Sequence, residues 1–166
     1  MTFADLPKGA PVFLDANTLV YALSNHAQYG PLCVGLLEQI SRQERPGHTS
    51  TRVLSEAAHR LMALEVISLH RRPQAGIALW MRNHPAVVQS LTSFRSGIES
   101  IPRRGVQVLI SQPGHVNQAL EISQQTGLLH NDALIVAVMQ QHGLVHLASN
   151  DTDFERVPGI TRYSPS

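Results

Sequence analysis

Carboxylates are scarce in this sequence, and most of the aspartates stand where a predicted strand ends or a predicted helix begins. Of the 166 residues only five are Asp, and four of them border apolar runs: Asp15 follows one run, Asp151 and Asp153 follow another, and Asp132 opens a third. Carboxylates that converge on one spot repel each other unless they hold a hard cation such as Mg²⁺ or Mn²⁺. Such an ion can generate a hydroxide nucleophile and neutralise charge on a phosphoryl group. The pattern therefore predicts a divalent-cation site with hydrolytic chemistry.

The elements that must position these carboxylates alternate between short apolar strands and helices. Helical apolar spacing, caps and glycine stops predict helices over 17–24, from 31, from 50 or 51, over 113–126, and from Asn131 or Asp132 to 143. Strands are predicted at 11–15, 47–50, 106–110 and 145–149. This alternation is typical of an α/β domain with a mostly parallel sheet. Because ligands bind at the carboxyl ends of such strands, Asp15 and Asp151 are the first candidates.

Each carboxylate also has a purely structural interpretation. Asp15 fits a helix cap, Asp132 complements the positive end of a helix dipole, and Asp151 with Asp153 fits a hydrogen-bonded turn. Glu56, in the helix after the second strand, has the spacing of an exposed ion pair with Arg60. Taken singly, these residues leave both interpretations open.

Four motifs in a fixed order favour the functional interpretation. They are Phe13-Leu14-Asp15-Ala16-Asn17, Thr49-Ser50 with Val53-Leu54-Ser55-Glu56, the segment Leu128 to Ile135 around Asp132, and the segment Leu147 to Phe154. Together they resemble the PIN-domain ribonucleases, especially the VapC toxins of bacterial toxin–antitoxin pairs. The resemblance runs from about Pro11 to Tyr163, and its last two motifs are the most specific.

The resemblance implies a fold, an activity and a set of site residues. The fold is a three-layer α/β/α domain with a central, mostly parallel sheet, and the activity is hydrolysis of RNA with one or two Mg²⁺ or Mn²⁺ ions. A homodimer and a small antitoxin protein are the implied partners. The metal-binding and catalytic carboxylates fall at Asp15, Glu56, Asp132 and Asp151, with Asp153 as a near neighbour of the fourth and with Asn17 and Ser149 as supporting polar residues.

A basic middle segment departs from compact members of the family. Between His70 and Arg104 the chain has six Arg and one acid. Its pattern is helical but interrupted by Pro73, Pro85 and Pro102, which predicts an extended helical arm over residues 71–104. A basic stripe suits a polyanion, although a solvated surface explains it equally well. The candidate RNA-binding residues here are Arg71, Arg72, Arg103 and Arg104.

Length and composition exclude several classes of protein. The 166 residues, 43% of them hydrophobic, predict one domain over 1–166 with a sizeable core and exclude intrinsic disorder. Cys33 is the only cysteine, so no disulfide framework is possible within the chain. Without a membrane-length apolar run or a signal-peptide core, we expect a cytoplasmic protein.

Three alternative functions compete with a toxin ribonuclease. A housekeeping PIN nuclease and a catalytically inactive PIN-like RNA-binding module would share the same motifs. A haloacid-dehalogenase-like phosphatase is less well supported, since those enzymes use a second Asp where this chain has Asn17. They also use a lysine at the phosphate site, and the only lysine is Lys8, before the first strand.

Overall fold

The central sheet of the computed structural model, which describes residues 1–166, has five strands in the order β3-β2-β1-β4-β5, and every neighbouring pair is parallel. The strands are β1 (Val12–Leu14), β2 (Gly47–Ser50), β3 (Val106–Leu109), β4 (His146–Ala148) and β5 (Thr161–Tyr163). The four predicted strands and the parallel sheet are confirmed. The edge strand β5 was not predicted, because its three residues include Thr161 and Arg162 and form no apolar run.

Eight α-helices surround this sheet. They are α1 (Ala16–Leu23), α2 (Gly30–Ser41), α3 (Thr51–His70), α4 (Ile77–Arg82), α5 (Pro85–Ser90), α6 (Ser93–Arg103), α7 (Pro113–Thr126) and α8 (His130–Gln141), with 3-10 turns at Phe3–Asp5 and Thr152–Arg156. None of them combines the length and the apolar character that a membrane crossing requires.

The helix starts nearest the carboxylates differ from the predicted ones. The first helix begins at Ala16 rather than at residue 17, because Asp15 is the cap and its carboxylate accepts the Ala16 N–H. The helix α8 begins at His130 with Leu129 at the cap, so Asp132 lies inside its first turn rather than before it. The predicted cap of α3 is confirmed at Ser50, whose hydroxyl accepts the Val53 N–H at 3.2 Å.

The core lies between the sheet and the helices. It contains β1, which Asp15 directly follows, and α8, which carries Asp132 in its first turn. All three residues of β1 are completely buried, and every residue of α8 from Ala133 to Met139 is buried with at most 8% of its surface exposed. An apolar surface on every side of α8 agrees with its burial, as a helix of that kind requires. Asp15 and Asp132 therefore project from rigid, buried elements rather than from loops.

The arm, residues 71–104, consists of α4, α5 and α6 and packs on the second half of α3. A small separate core of Val66, Met81 and Leu91 holds it. Pro85 opens α5, as a first-turn proline can, but the prediction that Pro102 breaks the pattern is wrong. Pro102 lies in the last turn of α6, which ends one residue later at Arg103, so the chain loses little helix there.

Candidate active site

Asp15 stands at the carboxyl end of β1 and is held on both carboxylate oxygens. Its side chain is buried, with 6% of the residue surface exposed. Oδ1 accepts the Ala16 N–H at 2.6 Å, and Oδ2 accepts the Ser149 hydroxyl and the Asn17 amide, each at 2.7 Å. The structural interpretation of Asp15 as a helix cap is thus correct, but capping uses only one of its oxygens. The second oxygen belongs to a network that crosses to β4.

Asn17 and Ser149, the predicted supporting residues, join the ends of β1 and β4. The Asn17 amide nitrogen lies 3.1 Å from the Ser149 hydroxyl oxygen, and the Asn17 carbonyl oxygen accepts the Asn150 N–H at 3.0 Å. The Ser149 hydroxyl oxygen also accepts the Asp151 N–H at 3.0 Å. These bonds tie the Asp151 turn to Asp15 across 134 residues of sequence separation. They fix where the last motif stands relative to the first.

Asp151 and Asp153 differ in how much of their charge is already balanced. The Asp151 carboxylate accepts the Asp153 N–H at 2.9 Å, which is the turn geometry expected from the sequence. The Asp153 carboxylate pairs with the Arg156 guanidinium at 2.8 Å. Asp151 has no such cation, which favours it over Asp153 as the fourth carboxylate of a cation site.

The pKa of Asp132 shows most clearly that carboxylates from different elements lie near each other. Its pKa is raised from 3.8 to about 6, mainly by burial and then by the negative charges of Asp151, Glu56 and Asp153, in that order. The positive charge of Arg52 acts in the opposite direction. Three carboxylates, one from α3 and two from the turn after β4, therefore lie within electrostatic reach of Asp132.

The pKa of Asp15 is raised to about 6 as well, mainly by burial. Hydrogen bonds from Ser149 and the Ala16 N–H lower it, whereas the charges of Glu56 and Asp132 raise it. Since Asp15 and Asp132 both sense Glu56, the structure brings together the five residues that the sequence singled out. We call them the carboxylate cluster: Asp15, Glu56, Asp132, Asp151 and Asp153.

Glu56 stands between two arginines of α3. The Arg52 and Arg60 guanidinium groups lie 3.6 Å and 3.9 Å from its carboxylate. The ion pair with Arg60 is the expected structural one, but Arg52, which also acts on Asp132, was missed. Its signal was available, because Arg52 precedes Glu56 by four residues at the start of the helix that Ser50 caps.

The donor chemistry of the cluster fits a hard cation, although its side chains are not gathered tightly. No three Asp, Glu, His or Cys side chains stand close enough together to hold a metal ion as they are arranged here. All donors in the cluster are carboxylate oxygens, which Mg²⁺ and Mn²⁺ prefer. Two of them have a raised pKa, mainly from burial and in addition from the repulsion of neighbouring carboxylates, and a cation would relieve that repulsion.

The cluster is not in the cavity between α1, α3 and α6. That cavity, of about 400 Å³, is lined by apolar side chains such as Leu61 and Phe94 and includes none of the five carboxylates. An open edge of the sheet is a suitable place for a polymer, which cannot enter an enclosed cavity.

The four predicted RNA-binding arginines do not lie beside the carboxylate cluster. Arg71 and Arg72 follow the far end of α3, roughly 22 Å from Glu56 at 1.5 Å of rise per residue. Arg103 and Arg104 precede β3 and so lie at the amino edge of the parallel sheet, opposite the cluster. The structure thus separates the basic stripe into two places, and phosphate binding by these four residues stays a prediction.

The family model for the PIN domain matches residues 12–160 of this chain. The chain belongs to the PIN domain family. This match spans all four motifs, so the resemblance and the α/β fold expected from it are confirmed. A search of curated proteins gives no match.

Three solved structures of toxins or toxin–antitoxin assemblies share the fold of this chain. VapBC2 from Rickettsia felis, solved with a DNA fragment from its promoter, has a TM-score of 0.60 at 17% identity, covering 93% of this chain and 98% of that chain. VapC20 from Mycobacterium tuberculosis, a Sarcin-Ricin loop cleaving toxin, has a TM-score of 0.59 at 17% identity, covering 87% and 92%. A toxin–antitoxin complex from Klebsiella pneumoniae has a TM-score of 0.53 at 16% identity, covering 93% and 98%.

Proposed function

We propose that this PIN-domain protein is a ribonuclease that hydrolyses RNA phosphodiester bonds with Mg²⁺ or Mn²⁺. The observation that carries the proposal is the convergence of carboxylates from four elements, in which Asp15 and Asp132 both have a pKa of about 6. Structural carboxylates are normally placed where a donor or a cation lowers their pKa, whereas carboxylates whose pKa is raised by burial and by neighbouring negative charges are typical of functional sites.

Asp15, Glu56, Asp132 and Asp151 would hold one or two ions, with Asp153 beside them. Bound there, the ion supplies a nucleophile at neutral pH and stabilises charge on the attacking and leaving oxygens. Asn17 and Ser149 act as positioning residues, because they hold Oδ2 of Asp15 in one orientation. Arg52 keeps a positive charge beside Glu56 at 3.6 Å and is the basic side chain best placed to meet an RNA phosphate.

We assign this ribonuclease to the toxin side of a toxin–antitoxin pair, with a homodimer and a small antitoxin protein as partners. The support is the set of VapC-type structures that share its fold over most of both chains. A housekeeping PIN nuclease is the competing role. Expression of the wild-type chain should arrest bacterial growth, and a harmless chain that still cleaves RNA would favour the housekeeping role.

The activity test is RNA cleavage by the purified protein with Mg²⁺ or Mn²⁺ and with EDTA. Cleavage should require the ion and should disappear in an Asp15→Asn/Asp132→Asn variant. Asp5→Asn is the matched control, because Asp5 is an exposed aspartate bonded only to Thr2. Undiminished cleavage by the double variant would refute the proposal, and absence of cleavage by the wild type would favour an inactive PIN-like RNA-binding module.

A further inference from the structure

The tip of the arm, residues 70–84, is a positively charged surface without any acid of its own. The 33 residues from Val66 to Ile98 contain no Asp or Glu. Arg71, Arg72 and Arg82 take part in none of the salt bridges of the chain. The positive charge at the arm tip is therefore not balanced within the chain.

The two acids that border this stretch are already engaged elsewhere. The Glu65 carboxylate accepts the backbone N–H groups of Thr92, Ser93 and Phe94 at 2.9, 3.0 and 2.9 Å, which fixes the start of α6. Glu99 lies 2.7 Å from Arg95 and 3.7 Å from Arg103. Neither acid is available to neutralise the arginines at the arm tip.

A stack of flat side chains stands among these charges. The His84 imidazole lies on the Trp80 indole with ring centres 4.0 Å apart and planes 14° from parallel. The guanidinium carbon of Arg72 lies 4.9 Å from a Trp80 ring centre. A bond of 2.7 Å between His84 Nδ1 and the Trp80 carbonyl oxygen holds the imidazole in place. Arg72 and His84 are exposed residues, so the stack can be extended from solvent.

We infer that the arm tip is a second RNA-binding site, which takes an unpaired strand. An unpaired base would extend the stack on His84 or Arg72, because bases stack on aromatic rings and on arginine planes. Arg71, Arg72 and Arg82 would hold the neighbouring phosphates. The inference rests on the proposed function, since it makes the same RNA the ligand. The site is distinct from the carboxylate cluster, because Glu56 and His70 are roughly 21 Å apart along α3.

The combination of features favours unpaired RNA over other anionic partners. A duplex hides its base faces, so it could use the arginines of the arm tip but not the stack. An acidic protein segment could also pair with the arginines, but it would gain nothing specific from the Trp80 and His84 rings. Only a strand with exposed bases uses both the charge and the flat surfaces.

The test is equilibrium binding of an unpaired uridine oligonucleotide to the full-length protein in EDTA, where metal-dependent cleavage is absent. Trp80→Leu removes the flat ring but keeps an apolar side chain against Val66, Met81 and Leu91, and it should lower the affinity about 5-fold or more. Arg72→Gln/Arg82→Gln changes only exposed side chains and should reduce the slope of log affinity against log salt by about 1.4.

The matched control is Lys8→Gln/Arg42→Gln, which removes the same charge from exposed positions outside the arm. It should bind RNA like the wild type. Wild-type affinity and salt slope in the Arg72→Gln/Arg82→Gln variant would overturn the inference, whatever happens to the folding of Trp80→Leu. Polyglutamate serves as a probe for an acidic protein partner. If the Arg72→Gln/Arg82→Gln variant loses polyglutamate binding but keeps wild-type RNA binding, the inference is also overturned, in favour of that partner.

The two proposals fail separately. If the wild type cleaves RNA and the arm-tip variants bind RNA normally, the second site is wrong and the ribonuclease stands. If the wild type cleaves no RNA but the arm-tip variants lose affinity for it, the second site stands and the ribonuclease is wrong.

Discussion

The carboxylate cluster and the arm tip both gather like charges, but they do so in opposite surroundings. Asp15 and Asp132 project from the buried elements β1 and α8, and burial is the main cause of their raised pKa. The arginines of the arm tip are exposed and lie on short helices held by a small core. Water screens repulsion at the arm tip, whereas the cluster bears it in a site of low polarity.

This difference indicates how strongly each region demands a ligand. For Asp15, a pKa about two units above normal corresponds to at most about 3 kcal/mol of lost stability at neutral pH. A cation that binds the cluster would recover that stability, so the account predicts a strong requirement there. At the arm tip the protein loses little by staying free, and a ligand there should bind weakly and with strong salt dependence.

The largest expected effect comes from comparing two helical glutamates that each pair with an arginine four residues later, one inside the carboxylate cluster and one outside it. Glu56 and Glu38 each pair with an arginine four residues later, at 3.9 Å and 3.1 Å. If Glu56 binds the ion, Glu56→Gln should lower RNA cleavage about 100-fold, while Glu38→Gln should leave it unchanged. Initial rates at saturating Mn²⁺ measure both. Equal rates for the two variants would mean that Glu56 forms surface ion pairs only and does not bind the ion.

The carboxylate cluster could be predicted from the sequence because its members directly follow or open elements with strong apolar patterns. Asp15 follows a strand of three fully buried residues, and Asp132 stands in the first turn of a helix whose next seven residues are buried. Once the strands are parallel, their carboxyl ends must meet at one edge, so topology alone brings Asp15 and Asp151 together.

The basic stripe could not be placed in the same way. Arg72 and Arg104 are arginines of the same basic segment, but they lie at opposite ends of the arm. Only tertiary packing decides where each end is placed. Arg52 was missed for a related reason. Its ion pair with Glu56 follows from local spacing, but its effect on Asp132 depends on the approach of α8 to the start of α3, which no local spacing encodes. The edge strand β5 was missed because it has no apolar run. The helix starts at Ala16 and His130 were missed because several neighbouring residues could serve as the cap.

A smaller effect is expected for the stability of the metal-free protein. The raised pKa of Asp132, about 6 against 3.8, means that its stabilising contribution is complete below pH 4 and is lost as pH rises through 6. In EDTA, Asp132→Asn should therefore raise Tm at pH 8, by about 2 °C or more, and the gain should vanish near pH 4.

Asp5→Asn is the control with the opposite sign. Hydrogen bonds from Thr2 lower the pKa of Asp5, so its contribution is present at pH 8 and is lost as pH falls. Its replacement should not raise Tm at pH 8. If Asp132→Asn lowers Tm at pH 8 instead, the favourable interaction of Asp132 with the start of α8 outweighs repulsion, and the cluster is weaker than proposed.

The smallest effect concerns the two arginines that flank Glu56. Arg52 also stabilises the charged form of Asp132, whereas Arg60 lies eight residues farther along α3. Arg52→Gln should therefore raise the pKa of Asp132 further and steepen the loss of metal-free stability between pH 4 and pH 8. Arg60→Gln should leave that pH dependence as in the wild type. Melts across this pH range distinguish the two variants, and identical profiles would remove Arg52 from the site.

The most direct measurement of the central claim is the effect of Mn²⁺ on the thermal melt of the wild-type protein. An ion that binds only the folded cluster adds about 2.7 kcal/mol of stability at a hundredfold excess over its Kd. The account predicts a clear rise in Tm at pH 8 and a smaller one at pH 5, where protons compete for carboxylates with a pKa of about 6. If Mn²⁺ shifts Tm at neither pH, Asp15 and its neighbours are helix caps and turn residues, and the cation site does not exist.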